Sequence, residues 1–302
     1  MDRLTISRPP ARWPAARDVL ELLKPVTWFP PIWAFMCGVV SSGVPIADRW
    51  PELVAGVLLT GPLVCGTSQA ANDWFDRHVD AINEPGRPIP SGRIAGHWGL
   101  WIAIAGTGLS LLVAWATGPL VFGATCLGLL CAWSYSAPPF RFKVSGVWGP
   151  AVVALTYEGL TWFTGATVMA SAWPTASVLI ILALYSLGAH GIMTLNDFKA
   201  VEGDRATGLR SLPVVLGVGA AARVACVVMA APQVAVIALL GHWGHLAVAV
   251  TVAGLLAGQM LLMRRLLRDP LRNTPWYNAT GTTLYVLGML ASAFGLGGVA
   301  GL

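Results

Sequence analysis

ASVLIILALYSLGAHGIMTLNDFKAVEGDRATGLRSLP (Ala176–Pro213) changes character part-way along. From 176 to 198 it is almost entirely apolar, and a run of roughly 20 such residues crosses a hydrocarbon core as a helix. From Asn196 onward it carries Asp197, Lys199, Glu202, Asp204, Arg205 and Arg210. Charge gathered where a span leaves lipid marks a functional position, because ionisable groups inside lipid are expensive.

Eight other runs share the apolar half of this pattern, at about 26–44, 52–72, 97–116, 119–137, 147–169, 221–240, 243–263 and 279–301. The chain of 302 residues is 56% hydrophobic and 11% charged, where a soluble domain carries about a quarter charged residues. None of the runs alternates polar and apolar residues as a membrane β-strand would. The expected fold is an all-α integral membrane protein of nine transmembrane helices in a bundle. Residues 1–25 form a polar, basic N-terminal segment, and 26–302 a single transmembrane domain. With no apolar core and small-residue cleavage site in that segment, the first span is expected to act as the insertion signal. The five cysteines (Cys37, Cys65, Cys126, Cys131, Cys226) lack CxxC spacing and read as small core residues.

Orientation follows from lysine and arginine. With nine spans, one set of loops and the N-terminal segment holds 18 of the 19 basic residues, leaving Arg49 alone on the other side. The N-terminus is therefore expected in the cytoplasm. The net charge of +5 reflects topology and anionic headgroups, and implies no nucleic-acid partner.

A second charged stretch, ANDWFDRHVDAINEPGRPIPSGR (Ala71–Arg93), follows another apolar run. Asn72-Asp73-x-x-Asp76-x-x-x-Asp80 aligns with Asn196-Asp197-x-x-Ala200-x-x-x-Asp204 at identical offsets. On a helix these offsets fall within an arc of about 100°. Each copy is followed by a basic loop with Pro or Gly, so the chain contains an internal repeat. Loops 73–96 and 199–220 are expected to form the mouth of a site between the halves. Carboxylates on one stripe repel unless a cation joins them. Oxygen ligands without His or Cys favour Mg²⁺, with Mn²⁺ as the alternative, and Mg²⁺ binds one or two carboxylates plus substrate phosphates. Arginines alongside suit a diphosphate, and a site at a membrane mouth suits one with a lipid tail.

The paired motif resembles the UbiA superfamily of intramembrane prenyltransferases. Together with KPVTWFPPIWAF (Lys24–Phe35), YSAPPFRFK (Tyr135–Lys143) and NDFKAVEGDRATGLRSLPVVLG (from Asn196), it is similar to the (bacterio)chlorophyll synthase branch, over about residues 20–300. The resemblance implies Mg²⁺-dependent transfer of a geranylgeranyl or phytyl group from its diphosphate to the propionate of (bacterio)chlorophyllide. It also implies a bacterial inner or intracytoplasmic photosynthetic membrane, with pigment-biosynthesis or assembly proteins as further partners. The acceptor is already a carboxylate, so no strong general base is required.

Carried over by position, Asp73, Asp76, Asp80, Asp197 and Asp204 are the catalytic, metal-binding acids, with Glu202 as a further metal ligand. Many relatives have an acid where Ala200 stands. Whether Glu202 or Asp204 replaces it is open, since Gly203 can break the helix between them. Asn72, Arg87, Tyr135, Arg141, Lys143, Asn196, Arg205 and Arg210 are the diphosphate-binding candidates. Trp33, Trp148, Trp162, Glu158 and His190 are assigned to an acceptor pocket, although most of the fourteen tryptophans belong to the interfacial belt or to packing. Glu158 lies about 16 Å into its span and His190 about 12 Å into an antiparallel one, so the two are expected to pair, or His190 to ligate the chlorophyllide magnesium. A haem, hydroxybenzoate or quinone prenyltransferase is an alternative, as is a secondary transporter, whose site would lie at the midplane instead.

The charge asymmetry makes a direct prediction. In Arg87→Cys the thiol is labelled from the cytoplasmic face, and in Arg49→Cys only from the opposite face. The reverse pattern in sealed vesicles overturns the topology.

Overall fold

The computed structural model describes residues 13–298. Residues 1–12 of the N-terminal segment and 299–301 of the last expected span lie outside the described residues. Among the described residues the secondary structure is helical apart from one isolated bridge, Ser145 to Arg210.

A helix occupies each expected span. They are α2 (Pro25–Ser41, opening with a 3₁₀ turn), α3 (Trp50–Asn83), α4 (Trp98–Thr117), α5 (Pro119–Ser136), α6 (residues 148–170), α7 (Ala176–Lys199), α10 (Val218–His242), α11 (Leu246–Arg268) and α12 (Pro270–Gly297). Seven are long and apolar enough to cross a membrane; α2 is shorter and α6 is not among the seven. Bulky apolar side chains such as Leu112, Leu130, Val227, Val250 and Leu261 are exposed on the outer faces, as befits a multi-pass membrane protein surrounded by lipid.

Among the described residues three short α-helices lie outside the spans: α1 (Ala16–Leu23), α8 (Val201–Thr207) and α9 (Leu212–Leu216). Helix α1 was not anticipated from the polar N-terminal segment. It buries Asp18 and Leu22, one turn apart on a face, and stops at Lys24, whose left-handed backbone (φ 48°) precedes Pro25.

Two spans differ from expectation in length. Helix α3 continues through the acidic stretch to Asn83, eleven residues beyond the expected end at 72. At 1.5 Å per residue its 34 residues reach about 51 Å, well over the roughly 30 Å of hydrocarbon, so the charged end stands clear of lipid. Helix α12 starts at Pro270 instead of 279, where Asp269 caps it by accepting from the Arg272 N–H at 3.3 Å.

Both α3 and α6 also contain a π-helical segment, Leu59–Cys65 and Leu155–Leu160. Pro62 accounts for the first, since its missing N–H breaks the regular ladder; no proline accompanies the second.

The helices close into a ring. Neighbours pack in order from α3 to α7, then through α10 and α11 to α12, and α2 completes the circuit against α12, α6 and α3. The tightest joint is α2 on α6. A Cβ on Gly38 would stand 2.1 Å from the Trp162 carbonyl oxygen, and one on Gly165 2.0 Å from that of Phe35. Small residues permit this approach, which substitutes van der Waals contact for the hydrophobic drive that lipid lacks.

Gly38→Ala or Gly165→Ala is therefore expected to cost about 1–3 kcal/mol or more. This would appear as a lowered midpoint of thermal unfolding in detergent. Gly123→Ala, where nothing lies within 4 Å of the added Cβ, should not lower it.

Candidate functional site

A cavity of about 640 Å³ lies inside the ring, walled by α2, α3, α5, α6 and α7 and closed at one end by the loops after α3, α5 and α7. Both motifs reach it. Asn72, Asp76 and Asp80 line one side, and Asn196, Asp197 and Asp204 the other. Asn72, Asp76 and Asp80 of the first motif share a face as the offsets require, since α3 is unbroken from Gly66 to Asn83. The second does not. After a 3₁₀ turn at Asp197–Lys199 the chain breaks at Ala200 and restarts as α8, whose Asp204 N–H bonds the Ala200 carbonyl at 2.8 Å. The break falls at Ala200 and not at Gly203.

The two sides differ in charge balance. Asp76 is ion-paired with Lys143 and also accepts from Asn72 Nδ2 at 2.9 Å, while that same amide donates to Ser136 Oγ at 2.8 Å. Asp80 is paired with Arg87 at 2.8 Å. Asp197 and Asp204 have no ion-pair partner among the described residues. Asn196, with Ala200 in place of an acid one turn on, instead has its Oδ1 held by Asn278 Nδ2 at 3.1 Å. Burial pulls the Lys143 ammonium below the usual lysine range, against the pull of Asp76. Burial also opposes the charge on Arg87, yet Glu84, Asp73 and Asp80 hold its guanidinium above the ordinary value.

Asp73 is not on the cavity wall. It is 1% exposed, and its Oδ1 accepts from Lys24 Nζ at 2.7 Å and Arg87 Nη1 at 3.3 Å. Its Oδ2 has no partner. At one position past Asn72 it sits about 100° around the helix, which turns it toward the junction of α1 and α2.

Of the other expected site residues, Arg87, Lys143 and Tyr135 line the cavity. Arg141, Arg205, Arg210 and Glu202 are exposed and off it. Asp204, not Glu202, therefore takes the place facing the first motif, because α8 turns Glu202 to the outside. Arg210 contributes through its backbone, pairing with Val144 and Gly146 at 2.9 Å each and so joining the loops after α5 and α7.

None of the five residues expected in an acceptor pocket lines this cavity. Trp162 is fully buried, stacked on Tyr185 with its Nε1 donating to Ser41 Oγ at 3.0 Å. Trp33 donates to the Val286 carbonyl at 3.0 Å, which fastens α2 to α12. Trp148 is largely exposed at the start of α6. Glu158 and His190 form no hydrogen bond or ion pair with each other. His190 Nε2 lies 3.1 Å from the Val147 carbonyl, and the ring lines a separate apolar groove between α6 and α7. Ala154, Leu155, Gly159 and Phe163 are among the α6 residues that share this groove, whereas Glu158 is buried in the interior with Oε2 unpartnered. The two differ in depth as well as in facing, since His190 meets the start of α6 while Gly159, next to Glu158, meets Ser186 a turn further in.

Sequence reasoning missed Lys24 and Lys199, although each borders an apolar run. It also missed Ser68, Gln69 and Tyr157 on the inner wall. The only cue for Gln69 was a lone amide inside an apolar span.

No group of three or more His, Cys, Asp or Glu converges as a ready-made metal cage among the described residues. Four carboxylates nevertheless share the cavity with three cations (Arg87, Lys143, Lys199). That donor set suits Mg²⁺, which keeps few protein ligands and completes its shell from phosphates and water.

The UbiA prenyltransferase family model matches residues 27–287. The chain is 57% identical over 296 residues to the bacteriochlorophyll synthase 33 kDa chain of Cereibacter sphaeroides, covering 98% of each. It is 37% identical to the chloroplastic chlorophyll synthase of Avena sativa, covering 91% of this chain and 75% of that one. In fold it is similar to a UbiA homologue from Archaeoglobus fulgidus solved with GPP and Mg²⁺. The TM-score is 0.66 at 21% identity, covering 92% of this chain and 98% of that one. A structure described as concerning digeranylgeranylglyceryl phosphate synthase gives 0.73 at 20% identity, with the same coverage. The chain belongs to the UbiA prenyltransferase family.

Proposed function

We propose that this enzyme esterifies the propionate of (bacterio)chlorophyllide with a geranylgeranyl or phytyl group taken from its diphosphate. The observation that carries the reading is a single cavity with both Asn-Asp motifs on its wall, in a chain so similar to a bacteriochlorophyll synthase over nearly its whole length. The protein crosses the bacterial inner membrane nine times, with the N-terminus and the charged mouth in the cytoplasm.

Asp76, Asp80, Asp197 and Asp204 would hold Mg²⁺, oriented by Asn72 and Asn196. Bound there with the diphosphate, the ion supplies positive charge that offsets the charge of the leaving group. Arg87 and Lys143 neutralise further phosphate oxygens, and the Tyr135 hydroxyl donates to another. Lys24 and Arg87 are anchored by Asp73, which acts by positioning them. The remaining task is to keep water from the allylic carbon as its C–O bond weakens. The ring of helices excludes bulk water there, which also strengthens the electrostatic contacts.

Purified enzyme should consume geranylgeranyl diphosphate only when Mg²⁺ and the pigment acceptor are present. Chelation should abolish turnover and added Mg²⁺ restore it. Turnover with haem, hydroxybenzoate or quinone precursors but not with chlorophyllide overturns the acceptor assignment. Metal-independent translocation with no pyrophosphate release overturns the enzyme reading itself.

The geometry also ranks the acids. Asp76→Asn and Asp204→Asn should each lower kcat by about 10²-fold or more, as expected for removal of a group that stabilises charge in the transition state. Glu202→Gln should remain within about twofold of the parent, a difference under about 0.4 kcal/mol in barrier. A Glu202→Gln enzyme as impaired as Asp204→Asn would mean that α8 rotates during turnover.

A further inference from the structure

Apart from Lys143 in the loop after α5, the charged groups on the cavity wall belong to the motifs or to the loop after the first, and the wall below is uncharged. It is not uniformly apolar. Gln69 Nε2 donates to the Tyr157 hydroxyl at 3.1 Å, and the same hydroxyl lies 3.3 Å from Cys65 Sγ. Ser68 lines the cavity beside them.

The cluster is assembled by the two irregular stretches of helix. Cys65 ends the π segment of α3, and Tyr157 lies within the π segment of α6. Each π turn shifts the facing of the residues around it, and such turns are frequent at functional sites. Gln69 precedes Asp76 by seven residues, which puts it on nearly the same face of α3 and about 10 Å further in. The donors thus lie beneath the metal and diphosphate groups, where the allylic end of the donor substrate emerges.

Neutral donors at that level suit one reactant in particular. The acceptor is a carboxylate that must come close to the allylic carbon while keeping a reactive lone pair. A lysine or arginine would bind it more tightly and blunt its nucleophilicity. Amide and hydroxyl groups orient it with less loss, and a carboxylate oxygen accepts several such bonds. Gln69 spends one amide hydrogen on Tyr157, and the other has no partner among the described residues. The Tyr157 hydroxyl, accepting from Gln69, is free to turn its own hydrogen away from the weakly accepting thiol of Cys65.

We propose that Gln69 and Tyr157, with Ser68 beside them, form the subsite for the acceptor's propionate carboxylate. The inference rests on the metal and diphosphate occupying the motifs above. One carboxylate oxygen forms the bond to the allylic carbon. The C–O bond to diphosphate breaks, its electron pair leaves with the diphosphate oxygen, and no proton changes hands.

The test is the acceptor and donor KM in Gln69→Leu, Gln69→Glu and Tyr157→Phe, with Mg²⁺-dependent binding of geranylgeranyl thiodiphosphate measured on each. Loss of one hydrogen bond to a charged group should raise the acceptor KM about ten- to 150-fold in Gln69→Leu and Tyr157→Phe. Gln69→Glu, which sets like charge against the carboxylate, should raise it further. Donor KM and thiodiphosphate binding should stay within about twofold, showing an intact fold and upper site. Acceptor KM unchanged in both Gln69 variants, or acceptor and donor KM rising together, overturns the subsite. Failure of the parent enzyme to bind thiodiphosphate with Mg²⁺ would instead overturn the reading of the motifs.

Discussion

A carboxylate shut away from solvent and gripped by two cations organises the charged end of this protein. Asp73 binds Lys24 at the start of α2 and Arg87 in the loop beyond α3. Removing one partner from a buried pair costs about 3–5 kcal/mol, because the other charge is left uncompensated. The chain therefore cannot move either cation without moving α3. Arg93 extends the restraint, bonding Asp18 at 2.7 Å, both carboxylate oxygens of Glu21 and the Gly86 carbonyl at 2.8 Å. Helix α1 thus clasps the loop that carries Arg87 onto the cavity.

The second half of the repeat is built differently. With Ala200 in place of a carboxylate, no side-chain pair spans the turn after Asn196, and the helix breaks there. The charges differ accordingly, since the first motif already carries Lys143 and Arg87 while Asp197 and Asp204 have no ion-pair partner among the described residues. A divalent ion bound with an anionic substrate would therefore supply the positive charge that the second motif lacks. The loss of one acid leaves the cavity with four carboxylates, and the loop-to-loop bridge through Arg210 and Val144 keeps α8 over the mouth.

Lipid imposes the other main constraint. Backbone groups in hydrocarbon must be satisfied within the segment, so departures from regular helix survive only where protein or a cavity covers them. Both π segments obey this rule. Thr60, Val64 and Cys65 in the first, and Thr156 and Tyr157 in the second, line the cavity. Irregular backbone and polar side chains coincide because both need the same shelter.

Much of this was legible in the residues themselves. Apolar run length located every long helix to within a few residues at most ends, because the thickness of hydrocarbon is a one-dimensional constraint. The repeated offsets of Asn72 and Asn196 identified the two charged stretches as one device, because helical periodicity sets which residues share a face. What the chain order could not convey was rotation between helices. Glu158 is buried in the interior while His190 lines the groove between α6 and α7, and Trp162 fills the core instead of a pocket. Asp73 and Asp76, three positions apart, serve as an internal anchor and a wall of the cavity. Facing is decided by packing. The glycine contact of α2 on α6 and the π turns set how far each helix is turned, and those depend on neighbours distant in sequence.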